Sequence, residues 1–117
     1  MVHSDRDPAV LRRRLFRVLD FYYPAILDDV FGGYVAQLDE RTGHVYDGAT
    51  KHLVATARAV HNFGLGARLD GPVWCRPAAE RGVTFLNAVH WDDAREGFDW
   101  VLEGRTAVDR TRHCYGH

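Results

Sequence analysis

An internal repeat constrains the fold of this 117-residue chain more than any other feature of its sequence. Acidic, glycine–aromatic, aliphatic and basic positions recur in the same order, at an offset of 64 residues at first and 61 residues at the end. The matched positions are Asp28, Gly33, Leu38, Asp47 and Lys51 in the first copy, and Asp92, Gly97, Leu102, Asp109 and Arg112 in the second. Repeat units of this kind bury their apolar faces by stacking on neighbouring units, so the pattern predicts a repeat architecture.

The first repeat unit begins with a predicted amphipathic helix. Asp7 is a suitable N-cap, and Pro8 suits the first helical position, where its missing N–H costs nothing. Apolar residues follow at helical spacing, and Pro24 is expected to end or kink the helix. The apolar positions are Leu11, Leu15, Val18, Tyr22 and Ile26.

A short β-hairpin is predicted next. Residues 34–38 and 44–46 can be extended, and residues 39–43 supply a turn that ends in glycine. Asp47 is then expected to cap a second helix, which runs to about residue 66. The repeat unit is therefore an outer helix, a hairpin and an inner helix.

One face of this second helix combines two cations with an amide and a small apolar residue. Lys51, Ala55, Arg58 and Asn62 are spaced at i, i+4, i+7 and i+11. A narrow apolar face is expected from Leu53, Ala57, Val60 and Gly64. An inner helix that lines a polar cavity would have this pattern. An ordinary surface helix with solvated Lys and Arg side chains is the alternative, and the spacing does not separate the two.

The second repeat unit starts at about residue 74 and is incomplete. Pro77 is expected at the first position of another amphipathic helix. Its apolar face would comprise Ala79, Val83, Leu86 and either Val89 or His90, and its outward face Glu80, Arg81 and Asn87. A second inner helix is expected from about residue 112, close to the last residue, His117. We therefore expect the chain to be the beginning of a longer array.

Composition excludes several classes of protein. The 15 basic residues are scattered and are matched by 16 acidic ones, so no nucleic-acid surface is expected. No apolar run approaches the roughly 20 residues that span a bilayer, so no membrane partner is expected. Cys75 and Cys114 form no motif, and reduced thiols in a soluble cytoplasmic chain are the simplest interpretation.

Four groups of residues resemble one known family. They are Asp28 with Gly32, Gly33, Tyr34, Leu38 and Asp39; Lys51 with Arg58, Val60 and Phe63; Gly97 with Phe98 and Trp100; and Tyr115 with Gly116 and His117. In type and spacing they are similar to the N-acylglucosamine 2-epimerase family. That family also contains cellobiose 2-epimerases, mannose isomerases and sulfoquinovose isomerases. The resemblance covers nearly the whole chain from about residue 21.

The resemblance implies an all-α toroid, the (α/α)6 barrel, in which six inner helices are ringed by six outer ones. Residues 1–117 would be the N-terminal part of one such domain. This part would be a barrel fragment of about two helix-hairpin repeats, with short β-hairpins between the helices. Repeat 1 would cover about residues 8–66, and repeat 2 would begin at about residue 74. The sugar would bind at one mouth of the inner ring.

The activity that the resemblance implies is proton transfer at C2 of an open-chain hexose. Return of the proton to C2 gives the 2-epimer, and its return to C1 gives the ketose. No metal or other cofactor is implied, and the family's proton transfer is attributed to histidines of later repeats, which have no counterpart here. Whether this chain alone is an enzyme therefore stays open.

The resemblance also implies roles for individual residues. Arg58 matches the family's active-site arginine and would be catalytic, as a donor to the sugar's O1/O2 region. Tyr115, His61 and His117 would bind substrate. Many members carry an aromatic residue where His61 stands. At position 117 epimerases usually carry glutamine, so a histidine favours an isomerase.

The sequence also allows other interpretations. His113, Cys114 and His117 could ligate a metal, but no partner motif accompanies them. The Asp28–Asp29 and Asp92–Asp93 pairs could serve a glycoside hydrolase or lyase on the same barrel, although repeated carboxylates more often close loops. Lys51, repeated as Arg112, is interpreted as structural first. A truncated, non-catalytic fragment that assembles as a homo-oligomer is the remaining alternative.

Overall fold

Three α-helices and seven short strands make up the computed structural model, which describes residues 5–117. The helices are α1 (Pro8–Tyr22), α2 (Leu53–Arg68) and α3 (Cys75–Phe85), which continues as a π-helical turn over Leu86–His90. The strands are β1 (Gln37–Leu38), β2 (Val45–Asp47), β3 (Thr50–His52), β4 (Trp91–Asp92), β5 (Gly97–Phe98), β6 (Val101–Glu103) and β7 (Thr106–Asp109). A 3-10 turn covers Cys114–Gly116. The chain is thus mainly helical with short antiparallel sheets, and residues 1–4 lie outside the described part.

Helix α1 begins and ends where the sequence predicts. The Asp7 carboxylate accepts a hydrogen bond from the Ala9 N–H at 2.9 Å, Pro8 is the first helical residue, and the helix stops before Pro24. Its packing differs from the prediction, because Leu19 is the only buried residue of α1. Leu11 and Val18, expected to face a core, are 48% and 52% exposed.

The predicted hairpin is confirmed, with shorter strands. β1 pairs antiparallel with β2, and the Asp39 carboxylate accepts hydrogen bonds from the N–H groups of Arg41 and Thr42. β6 and β7 form the corresponding hairpin of the second unit, with Leu102 opposite Ala107. β4 and β5 add a two-stranded ribbon after α3.

The predicted start of α2 is wrong. Asp47 accepts from the N–H groups of Ala49 and Thr50 and closes a turn; it caps no helix. The chain then forms strand β3, which pairs with β6 of the second unit and places Lys51 opposite Leu102. Helix α2 starts only after His52, whose Nδ1 accepts from the Val54 N–H at 3.2 Å. Lys51 therefore lies on a strand, while Arg58 lies on the helix.

The predicted apolar face of α2 is also shifted. The buried residues of α2 are Leu53, Thr56, Phe63 and Gly66. Of the predicted set only Leu53 is fully buried, and Ala57 is exposed. Phe63 lies between the rings of Tyr34 and Trp74, so α2 turns this side toward the neighbouring elements.

Helix α3 begins two residues earlier than predicted, at Cys75, with Pro77 as its third residue. Its buried face is Cys75, Ala78, Gly82 and Phe85, whereas the predicted member Val83 is 44% exposed. Gly82 explains the difference: a Cβ there would lie 2.4 Å from both Tyr34 Oη and Val60 Cγ2. The missing side chain lets α3 approach α2 closely, and this approach decides which face is buried.

The core lies where the three helices meet. Its buried residues are Leu19, Tyr34, Phe63, Cys75 and Ala78. The Tyr34 hydroxyl donates to the Ala78 carbonyl at 2.6 Å, and burial raises the pKa of Tyr34 to about 12. Truncating a buried aromatic such as Phe63 to alanine costs about 3–5 kcal/mol, so this cluster fixes the positions of the three helices.

The expected second inner helix is not formed in the described part. Residues 110–113 are irregular, and only the 3-10 turn over Cys114–Gly116 follows them. No helix among residues 5–117 has the length and apolarity to cross a membrane.

Candidate functional site

A groove of about 570 Å³ lies between α1 and α2. Its apolar wall comes from α1, including Leu11, Leu15, Val18 and Tyr22. Its polar wall comes from β3 and α2 and includes Lys51, His52, Thr56, Arg58 and Asn62. All four residues of the predicted polar face therefore line one cavity: Lys51, Ala55, Arg58 and Asn62. Lys51 reaches it from a strand. Arg58 is exposed whereas Lys51 is 1% exposed, so the solvated-helix alternative fails for Lys51.

Arg58, which lines the groove, contacts Tyr115, although the two residues are 57 positions apart in the sequence. Arg58 Nη2 donates a hydrogen bond to the Tyr115 hydroxyl, and the guanidinium carbon lies 6.0 Å from the centroid of the Tyr115 ring. Arg58 projects from the second turn of α2, and Tyr115 projects from the 3-10 turn. Tyr115 is 72% exposed, so the pair is open to solvent and to a ligand. Two of the four predicted site residues are thus in contact.

The other two predicted site residues, His61 and His117, form no hydrogen bond with this pair in the described part of the chain. His117 Nε2 accepts from the Phe98 N–H at 3.1 Å, so its Nδ1 carries the proton that is shared with the His113 carbonyl at 3.0 Å. Both ring nitrogens of His117 are therefore used within the chain. His61 is exposed on α2 and is not part of the groove lining. Among residues 5–117 neither histidine is hydrogen-bonded to Arg58 or Tyr115.

Lys51 and Asp28 form a buried ion pair beside the groove. Lys51 Nζ donates to the Asp28 carboxylate and to the Tyr34 carbonyl, and Asp28 is 5% exposed. Burial raises the pKa of Asp28, but hydrogen bonds from Lys51 and from the N–H groups of Phe31 and Val30 outweigh it, so the pKa lies below its usual value. The structural interpretation of Lys51 fits this arrangement, because its charge is fully engaged.

The repeated carboxylates do not form an acid pair in the groove. Asp29 is bonded to Arg81 at 3.0 Å, and Asp93 accepts from the indole N–H of Trp91 at 3.3 Å. Asp28 and Asp92 are held by Lys51 and Arg112. None of the four carboxylates lines the groove, so this geometry gives no support to a glycoside hydrolase.

His90 is a buried residue to which the sequence assigned no role. It is fully buried; its Nδ1 lies 2.8 Å from the Asp99 carbonyl, and its Nε2 has no hydrogen-bond partner among the described residues. Burial lowers the pKa of His90, opposed in part by the hydrogen bond to Asp99. The only indication of this burial in the sequence is that the predicted apolar face ends with either Val89 or His90.

His113, Cys114 and His117 lie close together in the chain, but their side chains do not form a ligand group in the described part. The His113 ring packs on Trp100 with 4.3 Å between centroids, and Cys114 is exposed and free. Within the described part of the chain, residues 5–117, no three His, Cys, Asp or Glu side chains are grouped as metal ligands would be.

The three helices with their short hairpins, together with the Arg58–Tyr115 pair, define a mainly helical protein with a polar site beside α2. Residues 32–117 match the model of the N-acylglucosamine 2-epimerase (GlcNAc 2-epimerase) family. The chain belongs to this family.

Relatives place it near sugar isomerases and epimerases. The chain is 33% identical over 106 residues to D-mannose isomerase of Marinomonas mediterranea, a match that covers 91% of this chain and 26% of that protein. A crystal structure of D-mannose isomerase superposes with a TM-score of 0.85 and 29% identity, over 98% of this chain and 29% of that one. Cellobiose 2-epimerase from Bacillus thermoamylovorans gives a TM-score of 0.78 and 25% identity, over 91% of this chain and 28% of that one.

The chain spans only about a quarter to three tenths of the length of these proteins. Such structural neighbours are (α/α)6 barrels, and the chain shares the fold of the part it covers.

Proposed function

We propose that residues 1–117 form the N-terminal part of an (α/α)6 barrel that acts on a small sugar, as a 2-epimerase or an aldose–ketose isomerase. The contact between Arg58 and Tyr115 carries this proposal. It joins the first inner helix to the start of the second unit, and it is exposed beside a groove. Family membership supports the sugar as ligand.

Arg58 suits the stabilisation of an enediolate-like intermediate. Removal of the C2 proton of an open-chain hexose places negative charge on O1 and O2, which fixed donors must meet. A guanidinium stays protonated and offers several N–H donors in a rigid fork, so one edge can hold Tyr115 while another faces the sugar oxygens. The Tyr115 hydroxyl, oriented by Arg58, would then bind a sugar hydroxyl.

Transfer of the C2 proton needs an acid and a base other than Arg58 and Tyr115. His117 has both ring nitrogens engaged, and His61 is not among the residues that line the groove. The base and the acid would therefore be histidines of further repeats, and residues 1–117 would supply substrate binding and charge stabilisation.

We favour the isomerase over the epimerase. The D-mannose isomerase similarity is higher in both identity and TM-score than the cellobiose 2-epimerase similarity. His117 stands where the family resemblance favours isomerases. A free hexose such as mannose, converted to its ketose, is the substrate that these observations support. The two free cysteines, Cys75 and Cys114, suit the cytoplasmic location that we propose with it.

Deuterium exchange tests this function. The protein that carries this chain, incubated with D-mannose in D₂O, should place deuterium at C1 of the ketose and at C2 of recovered mannose, detected by NMR. Arg58→Ala should lower the exchange rate about 10²–10³-fold, the usual loss for a donor to a developing oxyanion. Arg68→Ala, in the last turn of the same helix, is the matched control and should retain exchange. Full exchange in Arg58→Ala would overturn the role of Arg58.

A second candidate, an assembling unit without catalysis of its own, is favoured by the exposed stripe on α1. Leu11, Val18 and Tyr22 are 48%, 52% and 38% exposed and face the groove. Exposed apolar patches of this kind mark surfaces that other helices cover. A second copy of the chain would cover it in a homo-oligomer.

A further inference from the structure

Trp100 connects the two parts of the chain that carry Arg58 and Tyr115. Its N–H donates to the Asp109 carbonyl at 2.8 Å, and its own carbonyl accepts from the N–H of Leu53 at 2.9 Å. Leu53 is the first residue of α2, so the Trp100 carbonyl satisfies one of the free N–H groups at the start of that helix. The backbone of Trp100 thereby fixes where α2 begins.

The indole of Trp100 lies between α2 and the 3-10 turn. Its centroid is 4.7 Å from the ring of His52, the N-cap of α2, and 4.3 Å from the ring of His113, the residue before the turn. Gly116, in the turn itself, approaches so closely that a Cβ there would lie 2.2 Å from Trp100 Cζ3. The indole therefore contacts the N-cap residue of α2 and also the residues of the 3-10 turn.

The positions of Arg58 and Tyr115 depend on the start of α2 and on the 3-10 turn. Arg58 follows Leu53 by five residues on a rigid helix, about 7.5 Å along its axis, so the start of α2 sets the position of the guanidinium. Tyr115 is 72% exposed and has little packing of its own, so the turn that carries it needs an external support. Trp100 contacts His113, two residues before Tyr115, and Gly116, the residue after it.

We propose that Trp100 is a positioning residue, which holds the 3-10 turn against α2 so that the Tyr115 hydroxyl meets Arg58. Gly116 is its partner in this role, because the close contact requires the absence of a side chain. The effect of Trp100 on sugar turnover rests on the proposed function, whereas the geometry of the Arg58–Tyr115 pair can be measured directly.

NMR of the 117-residue chain tests the proposal through the nuclear Overhauser effect between the Arg58 side chain and the Tyr115 ring. Trp100→Phe removes the part of the indole that touches Gly116, and Gly116→Ala pushes the turn away from it. Each variant should lose most of the Arg58–Tyr115 cross-peak while the dispersion of the core resonances is retained.

The double variant Trp100→Phe with Gly116→Ala gives the decisive result. A phenyl ring leaves room for the added methyl group, so the cross-peak should recover relative to Gly116→Ala, a non-additive outcome for residues in contact. Trp74→Phe is the matched control: its indole stacks on Tyr23 at 4.0 Å in the core, and it should lower thermal stability without loss of the cross-peak. An intact cross-peak in both single variants would overturn the proposal.

Sugar turnover separates this proposal from the proposed function. If Trp100→Phe loses the cross-peak but the protein that carries it exchanges the C2 proton at the normal rate, the positioning role stands and the catalytic role of the pair fails. If the cross-peak persists while exchange is lost, the positioning role fails and the proposed function is unaffected.

Discussion

Arg112 lies with its guanidinium 3.8 Å from the carboxylate of Asp92, the same partnership that Lys51 makes with Asp28 in the first unit. Both aspartates also accept from the N–H groups two and three residues ahead of them in the sequence. The sequence repeat therefore preserves a specific contact as well as a residue pattern. The copies differ in depth, because the side chain of Lys51 is 1% exposed and that of Arg112 is 31% exposed.

Lys51→Met should destabilise the chain far more than Arg112→Met. Removal of Lys51 leaves the Asp28 carboxylate buried without its cation, which typically costs about 3–5 kcal/mol. Arg112 is partly solvated, and the buried Asp99, its other carboxylate partner at 3.4 Å, keeps Arg110 at 3.6 Å, so the loss of Arg112 should cost about 1 kcal/mol or less. Urea unfolding of both variants, at an unchanged m-value, checks this difference. Equal losses of stability would show that the Lys51–Asp28 ion pair is no more costly to break than the Arg112 pair.

Gly82→Ala and Gly64→Ala should change stability in opposite directions. A Cβ at position 82 would overlap Tyr34 and Val60, and overpacking of this kind typically costs about 1–3 kcal/mol. A Cβ at position 64 meets nothing within 4 Å, so alanine should stabilise α2 by up to about 1 kcal/mol through its helix propensity. Thermal unfolding measures both, and a stabilised Gly82→Ala variant would contradict the close approach of α3.

Acid should destabilise the chain through His90. Burial lowers the pKa of His90, so below the ordinary histidine value of 6.5 the unfolded state binds the proton more readily than the folded state. The contribution of His90 to the free energy of unfolding is therefore complete above pH 6.5. It falls as the pH drops below 6.5, by at most about 1.4 kcal/mol per pH unit. Lys51, His52 and Asp99 are the charged or titratable neighbours of His90.

Thermal midpoints at pH 7.5 and 5.5 measure this effect. His90→Gln removes the titrating ring and should show a smaller drop between the two pH values than the parent chain. His61→Gln, the same substitution at an exposed position of α2, should leave the drop unchanged. An identical drop in the parent chain and His90→Gln would assign the acid sensitivity to another group, with Asp28 relevant only at lower pH, where its lowered pKa lies.

Val18→Glu should reduce self-association if the α1 stripe is a contact surface between copies. Val18 is 52% exposed within the groove, and a carboxylate there would have to be desolvated in any helix contact. Sedimentation velocity across a concentration series measures the assembly. Val73→Glu is the control, because Val73 is 93% exposed and lies outside this groove. A parent chain that is monomeric at all concentrations would remove the second candidate function.

The features that the sequence predicted correctly are local. Asp7 and Pro8 start α1 because an N-cap and a fixed φ need only neighbouring residues, and the Asp39 turn closes its hairpin for the same reason. The recurrence of Lys51 as Arg112 predicted a structural role for Lys51, but the sequence did not indicate Asp28 as its partner. The Arg58–Tyr115 contact could be expected only from the family resemblance, because the two residues are 57 positions apart.

The sequence alone thus determined the ends of α1, the hairpin turn at residues 39–43 and the family. The tertiary structure decided which residues those elements bury. Strand β3 forms because β6, some 50 residues later, supplies its hydrogen-bond partners, and this pairing takes Lys51 off the helix. The buried face of α3 follows from the space at Gly82, which is visible only once Tyr34 and Val60 are in place. Hydrogen-bond pairing and close packing between distant segments depend on three-dimensional approach, which local spacing does not encode.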